Sequence, residues 1–140
     1  MIESVTSQFI PVKIHAKEQK ELFDKFNVHW TPTQLILDSD GVERHRIEGF
    51  LPVEDFLAQL SLGLGKLHFQ KGNYDQSERT LRDVVESHPS AACAAEARYW
   101  AGAVAYKKTH DAKNLGEAYK ELQQSYPDSE WTKKASVWSH

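Results

Sequence analysis

The chain has 140 residues, with 17 Lys+Arg against 20 Asp+Glu, a net charge of −3 and 40% hydrophobic residues. This is the length of one ordinary domain or two small ones, and the composition is globular. The acidic balance argues against nucleic acid as a default partner, no apolar run approaches the ~20 residues of a membrane span, and the N-terminal residues lack the pattern of a signal peptide. The lone cysteine, Cys93, forms no internal disulfide, dithiol pair or Cys-based zinc site. A cytoplasmic setting fits, or the cell envelope if a signal has been removed.

In chain order, residues 9–15 (Phe-Ile-Pro-Val-Lys-Ile-His) are rich in β-branched residues and predict a strand, with Pro11 at an edge or bulge. Leu22, Phe23 and Phe26 predict a short amphipathic helix over 17–27. Residues 33–37 predict a second strand, the Asp38-to-Gly41 segment a turn, and Val42–Ile47 a third strand hairpinned to the second. Pro52, at the first helical position, opens a helix with Glu54 and Asp55 in its positive first turn. The predicted order is βαββα.

Phe56, Leu57, Leu60, Leu64 and Leu67 keep helical spacing, so this helix is expected to run on to Gln70. Gly63 and Gly65 each cost it about 1 kcal/mol relative to Ala, and are expected where another helix comes close. Beyond residue 60 no good strand appears. Asn73 and Gln76 read as a capping box for a helix over 74–87 with Tyr74, Leu81, Val84 and Val85 on its apolar face. Ser90 is expected to cap a helix over 91–108. A fourth helix spans 114–125, and Ser129 or Asp128 caps a last one carrying Trp131, Ala135 and Trp138.

Gly65 precedes Pro89 by 24 residues, and Gly102 precedes Pro127 by 25. Leu81 and Tyr119 each stand 8 residues before those prolines. Recurring helix pairs of this length mark solenoid repeats. Leu64-Gly65, Gly72, Tyr74, Leu81 and Pro89 resemble the tetratricopeptide motif. The second unit is similar over Tyr99–Ser129 but has one extra residue and places Leu115 where the motif has a small one. The resemblance covers 61–139. It implies binding of proteins or peptides, and self-association or a simple extension of the first domain are the alternatives.

The first half resembles the end of a thioredoxin fold. Thr31-Pro32-Thr33, Leu35-Ile-Leu37, Asp40-Gly41, Glu48-Gly49-Phe50 and the helix from Pro52 occur in that family's order, and the resemblance covers 1–62. It implies a cis Pro32 and a peptide-binding edge at Trp30, Thr31 and Pro32, where the backbone of Thr31 pairs with an extended substrate. The family role it implies is thiol–disulfide exchange and redox homeostasis. The family's Cys-x-x-Cys and the central strand before it have no counterpart here, and Met1–Val5 resembles the tail of the helix that follows them. The expectation is a sequence that begins inside the domain, with a redox-dead remnant as the rival. No catalytic residue is therefore assigned, and a non-catalytic binding module is the competing function.

The predicted fold class is a partial thioredoxin-like α/β region, 1–62, followed by all-α tetratricopeptide-like helices, 63–140. Losing a central strand leaves strands 12–15 and 34–37 either to pair directly or to take a strand from another chain. Either way, apolar surface near Ile14, Leu35 and Leu37 is expected to be exposed and to favour a homodimer. Seven histidines show no metal-ligand spacing, so no metal or cofactor is expected. His45 is expected on a solvated strand face, and Glu43, Arg44, Arg46 and Glu48 as weak cross-strand pairs. Cys93, in the first turn of the third helix, is read as a packed residue rather than a reactive thiol. Trp100, Trp131 and Trp138 are expected between helices or on a dimer surface.

Overall fold

The computed structural model describes residues 2–139. Its elements are α1 (Ile2–Gln8), α2 (Lys20–Lys25), β1 (Thr33–Leu37), β2 (Glu43–Glu48), α3 (Val53–Gln70), α4 (Tyr74–Ser87), α5 (Ala94–Thr109), α6 (Lys113–Ser125) and α7 (Glu130–Ala135), followed by a 3-10 turn over Ser136–Trp138. A small α/β region is followed by helices alone, which is the expected fold class.

β1 and β2 form a two-stranded antiparallel sheet, with Gln34 opposite Ile47, Leu35 opposite Arg46 and Ile36 opposite His45. Ile36 and Ile47 are buried with Leu60 of α3, and Val5, Phe9, Leu51, Phe56 and Leu67 pack around them. Residues 9–15 are not a strand. Their composition favours one, but a strand needs a neighbour to bond, and the sheet holds only β1 and β2. Ile10 is 92% exposed and Val12 76%. The predicted pairing of 12–15 with 34–37 is therefore absent, and the described order is ααββα rather than βαββα. The helix expected over 17–27 is a single short one, Lys20–Lys25.

α3 runs unbroken through residues 62 and 63, where the two regions were divided. One face packs on the sheet, and Ala58 and Leu62 enter a second core with Leu81 and Val84 of α4 and Ala97, Ala101 and Val104 of α5. Each large aliphatic side chain so buried contributes roughly 1.5–3 kcal/mol. The two glycines explain how one helix serves both cores. A Cβ on Gly65 would lie 2.6 Å from Leu81 Cδ2, so α4 approaches closely there. Gly63 instead faces the sheet: a Cβ would lie 2.9 Å from His45 Cβ and closer still to Ile36 Cδ1.

α4 has the predicted bounds. Gly72, at φ 81°, makes the left-handed turn before it. The capping box does not form, since Asn73 makes no side-chain cap bond. Nor does Ser90 cap the next helix, which starts later than expected, at Ala94. The loop before it is held by Asp55 of α3, whose carboxylate accepts from Ala92 N–H at 3.0 Å. Ser129 does cap α7, accepting from Trp131 N–H at 3.1 Å. Trp131 and Trp138 surround Tyr99 of α5, with Trp138 stacked on it at 4.5 Å between ring centres.

Candidate peptide-binding edge

The hairpin is held at its tip by Asp38. Its carboxylate accepts from Val42 N–H at 3.0 Å, Asp40 N–H at 2.9 Å and Arg44 Nε at 2.9 Å, with Lys71 Nζ at 3.4 Å. The Val42 bond is the largest influence, and together with the Asp40 and Arg44 bonds it holds the Asp38 carboxyl well below the usual range. Arg44 also donates to Gln70 at 3.1 Å, which ties the tip to the end of α3. A carboxyl depressed on folding contributes stability that is complete above its unfolded value, near 4, and is lost as pH falls through and below that value. Chemical denaturation from pH 6 down to acid is therefore expected to show a loss that Asp38→Asn removes, while lowering stability at pH 6.

At the other end of the hairpin, Gly49 N–H donates to Pro32 C=O at 2.8 Å, and Gly49 has φ 87°. That bond sets Phe50 beside the loop leading into β1. The Thr31–Pro32 peptide is cis. Thr33 Oγ1 donates to Trp30 C=O at 2.6 Å and closes the loop. Arg46 anchors its start by donating to the carbonyls of Phe26 and Asn27, and it also bonds Glu43 and Glu48. Arg46 is thus a tie between β2 and the end of α2, more than the weak surface pair expected from its neighbours.

Trp30, Thr31 and Pro32 are brought together as one exposed loop. Trp30 is 69% exposed and Phe50 82%. Among the described residues, neither backbone group of Thr31 makes a hydrogen bond. An unpaired donor and acceptor, in a loop that carries exposed Trp30 and is bonded to the residue before exposed Phe50, can take an extended chain by strand addition. Phe50 was not assigned to the site from sequence; the Gly49-Phe50 step before a helix was its only signal.

Two other expectations change. His45 faces α3, not solvent, and shares a 2.7 Å hydrogen bond with Gln59 Oε1. Burial pushes its pKa down, partly offset by that bond. Cys93 lies just before α5 rather than in its first turn, and it is buried. Burial, then the nearby Glu96, pushes its thiol up to about 11, so the thiolate that attacks disulfides is scarce at neutral pH. Among the described residues no group of three His, Cys, Asp or Glu could hold a metal, and no helix is long and apolar enough to cross a membrane.

A hairpin entered through a cis-proline loop, backed by one long helix and continued by helices that pack on their neighbours in sequence, defines a joined α/β and helical-repeat architecture. Residues 2–63 match the family model of a thioredoxin-like domain, and residues 59–91 match that of a tetratricopeptide repeat. The chain thus carries a thioredoxin-like segment followed by a tetratricopeptide repeat, and the two matches overlap within α3. No curated protein and no solved structure matches the chain.

Proposed function

We propose that the chain binds extended peptides at Trp30, Thr31 and Pro32, as the substrate-recognition part of a thioredoxin-like system for thiol–disulfide exchange. Its helical hairpins hold protein partners, and it works in a reducing compartment such as the cytoplasm. The observation that carries this reading is the exposed, unpaired backbone of Thr31 next to exposed Trp30, in a loop bonded to Gly49. The Thr31 N–H donates to a peptide carbonyl, its C=O accepts from a peptide N–H, and the rings cover the neighbouring side chains.

Exchange itself requires a thiolate that attacks one sulfur of a disulfide, forming a new S–S bond as the other sulfur leaves as thiolate. Cys93 is buried and its thiolate is scarce at neutral pH. On the redox reading, the cysteines for that step are ones these 140 residues do not contain. The buried thiol also favours a second reading, a binding module with no redox partner.

One experiment separates the two. Amide NMR shifts are followed while an extended peptide containing S-methylcysteine is titrated in, then its alanine analogue. Shifts at Thr31, Thr33 and Gly49, weakened about tenfold or more by Trp30→Ala with Phe50→Ala, are expected for this edge. Preference for the sulfur peptide supports the redox reading, and equal affinity supports the plain binding module. Absence of shifts, or shifts indifferent to the double variant, would sink the site. Insulin reduction by this chain alone is expected to be absent, with Cys93→Ser making no difference.

A further inference from the structure

The two edges of the sheet are guarded very differently. Pro32 C=O bonds Gly49, and because ladder bonds alternate, Gln34 and Ile36 turn their backbone groups to β2. Thr33 and Leu35 turn theirs to the other edge, which no strand occupies. β2 carries Glu43, Arg44, Arg46 and Glu48, charges of the kind that protect an edge from pairing. β1, with the sequence Thr-Gln-Leu-Ile-Leu, carries none.

The same chain holds an unused strand. Residues 9–15 are β-rich, unpaired with the sheet, and project Ile10 and Val12 into solvent. Ile10, Val12 and Ile14 alternate, so an extended segment puts all three on one face. Pro11 removes one N–H from one side of that segment and leaves the other side whole, which suits it to pair along a single edge. In its own chain no backbone bond joins this segment to β1.

We infer that the open edge of β1 takes the 9–15 segment of a second copy of this chain. The exchange is reciprocal about a two-fold axis, so both unmatched elements are matched at once. Thr33 and Leu35 bond the incoming backbone. Ile10, Val12 and Ile14 extend the face that carries Leu35. This edge runs on from Thr31 and shares Thr33 with the proposed peptide site, and sedimentation without added peptide reads the exchange separately from peptide binding.

The test is sedimentation of the full chain over a concentration series. The donor variant is Ile10→Lys with Val12→Lys, which changes only exposed side chains and leaves the monomer fold intact. The acceptor variant is Leu35→Pro, which removes an N–H that β2 does not use. A wild-type dimer, weakened about 100-fold or more by the donor variant, is expected. Mixing donor and acceptor variants is expected to restore a heterodimer, since one of its two contacts is intact. If Leu35→Pro does not fold, the donor variant alone decides. A wild-type monomer throughout, or a dimer indifferent to the lysines, overturns the exchange. So does a monomer whose Thr33 and Leu35 amides shift only with a foreign extended peptide.

Discussion

Leu81→Ala is expected to destabilise the protein by about 3 kcal/mol, within the range of roughly 2–5 for a fully buried leucine. Leu81 is completely buried in the core shared by α3, α4 and α5. It stands over Gly65, where its Cδ2 and Cγ approach the site of a missing Cβ at 2.6 and 2.7 Å. Truncation leaves a cavity that rigid helices on three sides close only in part. The urea midpoint is expected to fall by more than about 1 M. Gly65→Ala alone is also expected to destabilise, because its new methyl meets Leu81, and this outweighs the roughly 1 kcal/mol gained in helix propensity. In the double variant the methyl at 65 enters the space Leu81 vacated. The double variant is therefore expected to lose less than the two single losses combined, with a coupling of about 1 kcal/mol or more. Additive losses would show that α3 and α4 do not meet through this pair.

The helical half was more legible than the sheet, and the reason lies in how each is held. α4 bonds its backbone within itself, and its ends are marked by Gly72 and by Pro89, two residues past its last. Its bounds follow from local sequence. The β1–β2 hairpin was also readable, because Asp38 and Gly41 specify a turn between an apolar run and an alternating charged one. Residues 9–15 have equal β character, yet no backbone bond to the sheet forms, because strand formation is decided by a partner elsewhere. His45 failed for another reason. Arg44, His45 and Arg46 alternate across the sheet, and nothing local says which face meets α3. That was settled by Gly63, 18 positions further on, which leaves room for the His45 ring. Of the site, the Thr31-Pro32 step was visible as a pattern. Phe50 and the Arg46 anchor were not, since each matters only through a neighbour that folding brings beside it.

Gly63→Leu is expected to release the hairpin from α3 while the helical core stays folded. Position 63 is buried, and a Cβ there would meet His45 Cδ2 at 2.8 Å and His45 Cβ at 2.9 Å, with Ile36 Cδ1 nearer. The Ile36 end could swing aside. His45 Cβ cannot, because it moves only with the strand. A leucine adds further carbons into the same gap, so overpacking is expected to cost about 3 kcal/mol, at the upper end of its usual range. Leucine returns at most ~1 kcal/mol in helix propensity. A two-stranded hairpin is marginal on its own in water, so its persistence depends on burying Ile36 and Ile47 against α3. A loss of this size is enough to undock it. Hydrogen exchange is the direct reading: the amides of Gln34, Ile36 and Ile47 are expected to lose protection. Amides within α4 and α5, whose core is built from Leu81, Val84, Ala97 and Val104, are expected to keep theirs. Peptide binding at Thr31 should fall together with hairpin protection, because the Gly49–Pro32 bond that shapes the loop belongs to the same hairpin. Unchanged protection in Gly63→Leu would mean that the sheet does not rest on α3 at this glycine.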